Sequence, residues 1–433
     1  HYYTYYDIFP FYLMRLEKAS ERYLGLSSSS LKGDRAKLFK LHSRKAIGEY
    51  CIEDALHTKL LAELFIKNLN ELGMNPKKFM SCGNISEQYL LLNADIPYFD
   101  TVPRIVNYFY WRSYRGGWFD TWKKGYFPSA YQYDLKSAYP SVLSELPDVR
   151  YGEWSPVLDT KQRLGIIYCQ INPGEDSCIS KKLNKNVSSP SIYPEIDTEV
   201  FTYLTLSEYK VLKRVYDIDV IQAFTFFPSE ERYPFRESVN KLFTIKEECR
   251  DNPSKYMVIK QIYNSFYGKT CQKRKIRGKN EYKAGCLFNP VYASETTAGC
   301  RIKMWEFIQK NKEKVASIMT DGIIFNSKPS LNGIKTGSEL GEWGVEHQNE
   351  ECVIVKSGIY QFGEERPKRR GMVKMGNLYE TLRTNGQIIR VHFTRPRQFK
   401  ESLIQKTPDN IGVFMKDHRD CLLYTSPSPR DRT

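Results

Sequence analysis

The sequence predicts an α+β protein of more than one domain. Two amphipathic helical stretches open the chain, a basic helical hairpin lies near its middle, and short apolar runs parted by Gly, Pro and Asp-Gly signals fill much of the rest. At 433 residues the chain is too long for one compact core, so two or three domains are expected.

Bulk composition narrows the class. Hydrophobic residues make up 41%, aromatics 14% and charged residues 27%, the profile of a globular chain rather than a disordered one. No apolar run is long enough to cross a bilayer, so no membrane partner is expected. A net charge of +15 favours a polyanionic partner, because Lys and Arg that neutralise phosphates release counterions. Ten cysteines occur without a Cys-x-x-Cys pair, which argues against a zinc site and a secreted disulfide framework and for an intracellular, reducing setting.

The elements follow in order. Residues 1–72 read as helical, with apolar side chains three and four apart in "FPFYLMRLEKASERYL" and "EYCIEDALHTKLLAELFIKNL" and a polar break at Ser27 to Ser30. Residues 73–127 form a Gly/Pro-punctuated connector. The run "YQY" before Asp134 is expected to be a buried strand within 128–150. Residues 151–230 carry many prolines and strand-like runs such as "LGIIYCQI" and "DIDVIQAFTFF". Within 231–275, "RESVNKLFTIKEECR" and "SKYMVIKQIYNSFYGK" read as two helices broken at Asp251-Asn252-Pro253. In 276–349, "VASIM", "TDG" and "IIF" read as a β-hairpin turning on Asp-Gly. Residues 350–420 alternate short strands with basic patches, notably Arg366 to Lys374. The stretch Cys421 to Asp431, "CLLYTSPSPRD", resembles a translated sequencing adapter, so 421–433 is expected to stand outside the fold. With His1 rather than Met at its start, the sequence is expected to be a piece of a longer gene, open at both ends.

The chemistry concentrates on two acids. Asp134 ends one strand and Asp321 sits in the hairpin turn, so the two carboxylates can converge. Paired carboxylates on rigid strand ends suit two Mg²⁺ ions, each of which takes few protein oxygens and completes its octahedron with water and substrate phosphates. Between them in sequence lies "KQIYNSFYGK". On one unbroken helix Lys260, Asn264, Tyr267 and Gly268 share a face, basic at one end and aromatic at the other. Such a face can neutralise a triphosphate and present a flat surface to a base pair, and Lys246 and Arg250 on the preceding helix can add charge. Taken singly, each feature has a plain explanation: Asp-Gly is usually only a turn, and charged runs are usually solvated faces.

Together they carry a resemblance. "DLKSAYPS" (134–141), "KQIYNSFYG" (260–268) and "MTDG" (319–322) resemble, in this order, motifs A, B and C of B-family DNA polymerases. The resemblance implies a right-hand fold of palm, fingers and thumb and a DNA-directed DNA polymerase that uses two Mg²⁺ ions, or Mn²⁺, with template-primer DNA and dNTPs as partners. It makes Asp134 and Asp321 the catalytic, metal-binding acids. It assigns the triphosphate to the backbone of Leu135, Lys136, Ser137, Ala138 and Tyr139, with Tyr139 as the steric gate under the sugar. Lys246 and Lys260 would bind phosphates, and Asn264 and Tyr267 would lie near the nascent base pair, with Gly268 beside the DNA. One position departs from the pattern: motif C usually has an acid two residues before the catalytic one, and here it is Met319. That leaves metal affinity and the choice between Mg²⁺ and Mn²⁺ open.

Further matches place the chain within the family. "YRGG", Tyr114 to Gly117, resembles the Tyr-x-Gly-Gly motif between exonuclease and polymerase modules, most familiar in protein-primed enzymes of phages, linear plasmids and mobile elements, and implies DNA contacts from Tyr114, Gly116 and Gly117. "YCIED" resembles the third exonuclease motif, with Asp54 as a metal ligand and Tyr50 orienting water. Hence 1–72 is expected to be the end of a ribonuclease-H-like 3′–5′ exonuclease domain that cannot proofread alone. The Asp197/Glu199 pair falls in the wrong order for such a site and reads as surface charge. "KSGIY" sits where the family has a Lys-x-Tyr motif at the primer terminus, which implies roles for Lys356 and Tyr360 at a spacing two residues longer. Residues 151–230 would be a palm insertion, related to the region that contacts a terminal protein. Two alternatives stand beside this reading: a catalytically inactive DNA-binding relative, and a cellular polymerase primed by RNA.

Overall fold

The computed structural model describes residues 6–27, 43–173, 178–179, 181–182, 191–192, 199–276, 278–279, 281–369, 372–374, 376–385, 388–396 and 414–422. In chain order the helices are α1 (Phe9–Tyr12), α2 (Leu16–Leu24), α3 (Arg44–Glu71), α4 (Cys82–Asn93), α5 (Arg104–Ser113), α6 (Ala138–Leu143), α7 (Leu206–Leu212), α8 (Arg236–Glu248), α9 (Pro253–Asn264), α10 (Phe266–Thr270), α11 (Pro290–Gln309) and α12 (Leu378–Asn385). The strands used below are β1 (Phe119–Thr121), β2 (Gly125–Leu135), β3 (Gly152–Ser155), β4 (Gly165–Ile171), β5 (Lys181–Lys182), β6 (Ser191–Ile192), β7 (Val200–Thr205), β8 (Ile218–Pro228), β9 (Lys273–Lys275), β10 (Tyr282–Ala284), β11 (Val315–Met319), β12 (Gly322–Phe325), β13 (Trp343–Lys356), β14 (Ile359–Phe362), β15 (Lys368–Arg369), β16 (Met372–Lys374), β17 (Ile388–Pro396) and β18 (Phe414–Leu422).

The chain forms two compact units. The first comprises 1–112, 139–164 and 224–296, and the second 113–138, 165–223 and 297–433. In the first, Ser43 caps α3 by accepting from the Ala46 amide, and the apolar spacing of α3 buries Leu61, Phe65 and Leu69. The ring of Phe11 lies 4.5 Å from that of Phe65. The break at Asp251-Asn252-Pro253 forms as predicted: Asn252 accepts from the Lys255 amide and Pro253 takes the first helical position, where its missing N–H costs nothing. Helix α9 is tied to α3 by Asn68 to Ser254 (2.6 Å) and Lys255 to Glu71 (2.7 Å). Thus residues 6–72 share a unit with the helical hairpin.

The second unit is built on a seven-stranded antiparallel sheet in the order β1-β11-β12-β2-β13-β14-β15. One buried cluster joins Ala130, Ala316, Ile324, Cys352, Ile354, Tyr360 and Phe362. Phe307 of α11 packs by its ring against Tyr133, Phe325 and Trp343, with centroids 5.6, 4.9 and 4.9 Å away. The unit also pairs β4 with β7, and β17 with β18 through Ile388↔Leu422. Strand β18 therefore takes in Cys421 and Leu422, two residues of the segment expected to lie outside the fold; 423–433 are outside the described residues. No helix among the described residues is long and apolar enough to cross a membrane.

Two local expectations are corrected. The predicted second helix of the hairpin is not continuous: α9 stops at Asn264, where the Ser265 amide donates to Ile262 O and its hydroxyl to Gln261 O (2.8 Å), and α10 starts at Phe266. A serine that bonds back to the preceding turn competes with helix propagation. The hairpin also turns one residue earlier than Asp-Gly suggests. Met319 pairs with Gly322, so the turn is Thr320-Asp321, and Thr320 rather than glycine takes positive φ (34°).

Candidate active site

In the second unit the two acids meet across neighbouring strands. Asp134 of β2 lies opposite Gly322 of β12, and the Leu135 amide donates to Asp321 O at 2.7 Å. Alternation along β2 places Gln132 on the same face as Asp134, and Gln132 Nε2 donates to Asp134 Oδ1 at 3.1 Å. On the other side of β2, the register with β13 slips between Val345 and His347, leaving Glu346 out of the ladder. Lys136 Nζ pairs with Glu346 at 2.8 Å. Asp134 is half-buried and Asp321 exposed. Desolvation raises the Asp134 pKa, with the Glu346 charge acting the same way, while the Gln132 hydrogen bond and the Lys136 and Lys368 charges oppose it.

A carboxylate that is desolvated and faces a second negative charge gains when a divalent cation arrives. The donors are hard oxygens, which suit Mg²⁺ or Mn²⁺. Among the described residues no three His, Cys, Asp or Glu side chains form a metal cluster. Gly322 leaves room for the acid: a Cβ there would overlap Asp134 Oδ1 and lie 3.2 Å from its Cγ. Gly344 does the same beside Lys136, whose Cδ would be 3.2 Å from an added Cβ.

The motif A backbone is partly committed. The amides of Leu135 and Lys136 donate to Asp321 O (2.7 Å) and Glu342 O (2.8 Å), so a triphosphate would have to be met by other atoms of those two residues. Ser137 has positive φ (51°), and α6 begins at Ala138.

The first unit holds Tyr139, Lys246, Lys260, Asn264, Tyr267 and Gly268. The Tyr139 and Tyr267 rings lie 4.1 Å apart at 33°, a pairing that the one-helix picture did not anticipate. Lys260 and Asn264 are exposed on α9, and with the helix broken at Ser265 they do not share one continuous face with Tyr267 and Gly268. Lys246 is buried, with Nζ 4.5 Å from the Phe243 centroid, 5.4 Å from that of Tyr263 and 3.2 Å from Glu247. Burial lowers its pKa more than the Glu247 pair raises it, and the nearby charges of Arg250 and Lys260 lower it further. That convergence of cations is what an anionic ligand would relieve.

Other predicted positions fall in plainer surroundings. Tyr50 and Asp54 lie on α3, half-buried. Tyr360 is 6% exposed on β14 within the sheet core, and Lys356 ends β13. Asp197 and part of the Arg366 to Lys374 run are outside the described residues. In the Tyr114 to Gly117 motif Gly116 is exposed, but Arg115 is buried and donates to Ser113 O, Tyr203 O and Thr202 Oγ1. Arg301 donates to the carbonyls of Arg115 and Gly116, each at 2.9 Å, and pairs with Glu208 at 2.7 Å. Burial pushes the Glu208 pKa up, but Arg301 and Arg115 hold it below the usual carboxylate value. Sequence reading missed this buried trio, and it missed Gln132, Glu346 and the special place of Gly322. Only Gln132 left a local signal, as a lone amide inside an apolar strand.

The profile of the family described as "DNA polymerase type B, organellar and viral" matches residues 18–316. The chain belongs to that family. A protein of Ascobolus immersus named probable DNA polymerase is 23% identical over 389 residues, covering 78% of this chain and 31% of the relative. The DNA polymerase of Acidianus bottle-shaped virus is 26% identical over 279 residues, covering 61% of this chain and 40% of the relative. The chain thus spans 31% and 40% of the length of these two relatives. Phi29 DNA polymerase with primer-template DNA superposes at a TM-score of 0.63 and 15% identity, over 96% of this chain and 80% of that one. Its complex with DNA and incoming nucleotide gives 0.65 and 16%, over 96% and 79%. The fold of this type B polymerase family member is therefore the mixed helix and sheet right-hand arrangement.

Proposed function

We propose that the chain is the polymerising part of a template-directed DNA polymerase that extends a primer 3′-hydroxyl with dNTPs, in an element that primes from a terminal protein. The observation that carries the reading is the junction of motifs A and C, where the strand that carries Asp134 is pinned to Asp321 O through the Leu135 amide (2.7 Å). The new bond joins the 3′-oxygen to the α-phosphorus, the bond from that phosphorus to the β-phosphate bridge breaks, pyrophosphate leaves, and the hydroxyl proton passes to solvent. Two divalent ions, Mg²⁺ or Mn²⁺, held by Asp134 and Asp321 would supply the charge neutralisation this displacement needs.

The residues of the chain do the positioning. Lys260 and Lys246 neutralise phosphate charge, Lys246 leaving Glu247 to do so. The Tyr139 ring, packed against Tyr267, forms a floor under the sugar that excludes a 2′-hydroxyl, and Asn264 and Tyr267 face the nascent pair. Tyr114, Gly116, Gly117, Gly268, Lys356 and Tyr360 belong to the DNA path. Asp54 with Tyr50 is the remnant of an exonuclease site. Membership of the organellar and viral branch and the insertion between motifs A and B support protein priming.

The test is primer extension on a recessed template with Mg²⁺ or Mn²⁺, beside Asp134→Asn and Asp321→Asn. Loss of extension in both variants, with DNA binding kept, is expected. A folded parent chain that binds DNA and extends nothing, also when joined to the rest of its gene, would establish the inactive DNA-binding relative instead. Transfer of a labelled dNMP onto a protein hydroxyl distinguishes protein priming from RNA priming.

A further inference from the structure

We propose that Gln132 is a positioning residue for Asp134. The inference rests on the polymerase reading of Asp134.

Gln132 is 5% exposed and lies on β2, whose alternation turns it to the same side as Asp134 two residues on. Its Nε2 donates to Asp134 Oδ1 at 3.1 Å.

The remaining polar atom makes the case stronger. Gln132 Oε1 is buried with no hydrogen-bond partner among the described residues. An unpartnered buried amide oxygen costs stability, and methionine would fill similar volume without one. Folding alone therefore gives no reason for an amide here, whereas a donor aimed at Asp134 does. By fixing Oδ1, Gln132 restricts rotation of the carboxylate and leaves Oδ2 to face ligands. A catalytic group misplaced by about 1 Å costs on the order of a hundredfold in rate.

The experiment compares Gln132→Met and Gln132→Leu in single-turnover primer extension, together with Mn²⁺ binding to the DNA-free chain followed by electron paramagnetic resonance. Gln132→Met is expected to slow extension by about ten- to a hundredfold with dNTP KM and DNA Kd nearly unchanged, and to weaken Mn²⁺ binding. Parental rate and Mn²⁺ affinity in Gln132→Met would overturn the proposal. Should Gln132→Met lose its fold, Gln132→Leu carries the test alone: parental extension and Mn²⁺ binding in that variant would refute the proposal. A parent chain without extension would sink the polymerase reading, and Mn²⁺ binding would then decide the role of Gln132 separately.

Discussion

Replacing Gly322 by alanine should leave the fold almost intact and nearly abolish extension. The backbone at 322 lies in a strand without positive φ, so alanine is conformationally acceptable there and loses less chain entropy than glycine on folding. The obstacle is a single side chain. The added Cβ would overlap Asp134 Oδ1 and lie 3.2 Å from Cγ, with Met319 Cε at 3.6 Å limiting escape. Restoring a carbon contact of about 3.5 Å requires the carboxylate to shift by roughly 1 Å. That shift breaks the 3.1 Å bond from Gln132 and moves the acid off its line with Asp321. A 1 Å displacement predicts a loss on the order of a hundredfold, about 2.7 kcal/mol in the barrier. The assay is single-turnover extension at saturating dNTP, read beside a denaturant midpoint. Extension within about twofold of the parent in a well-folded Gly322→Ala would refute the reasoning, because the acid would then tolerate displacement.

The remaining predictions concern stability. Glu208→Gln should lower unfolding stability by about 3 kcal/mol in urea, since it leaves Arg301 and Arg115 buried beside a neutral amide; an unchanged midpoint would mean that the trio contributes nothing net. Glu87 pairs with Arg274 and with Lys269 (3.2 Å), and although burial pushes its pKa up, these partners hold it below 4.5. Its stabilisation is therefore present above the unfolded value of 4.5 and lost as pH falls through the lower folded value, so the stability gap between parent and Glu87→Gln should close in acid; a gap constant from pH 7 to pH 3 would contradict this.

What could be read from the sequence was local. The strand before Asp134 followed from an apolar run, the hairpin around Asp321 from a turn signal between two such runs, and the break at Pro253 from a residue that cannot donate. Contacts between distant segments were not legible. Arg115 reads as a charge in a glycine loop, and only the return of β7, α7 and α11 to the same place makes it an internal anchor. Glu346 becomes a neighbour of Asp134 through a register slip in β13, which no periodicity announces. The break at Ser265 was missed for a different reason: helical spacing in "KQIYNSFYG" continues across it, and the hydroxyl bond to Gln261 that helps end α9 is weak in sequence terms.

Backbone strain supplies an independent line to the same residues. Among the described residues four non-glycines have positive φ: Leu13, Ser137, Thr320 and Asn349. Two of them flank the acids, Ser137 (51°) three residues after Asp134 and Thr320 (34°) immediately before Asp321. A left-handed residue of this kind costs about 1–3 kcal/mol, and a β-branched threonine is among the least suited. Glycine would remove the cost at either place, so the strain needs something to hold it. The amides of Leu135 and Lys136, bonded to Asp321 O and Glu342 O, fix the chain before Ser137, while Thr320 N–H is held by Trp118 O at 2.8 Å. Both acid-bearing segments are thus bent against their local preference by bonds to neighbouring strands. Strain that is over-determined by its surroundings is typical of working sites, and here it coincides with the two carboxylates to which the motifs point.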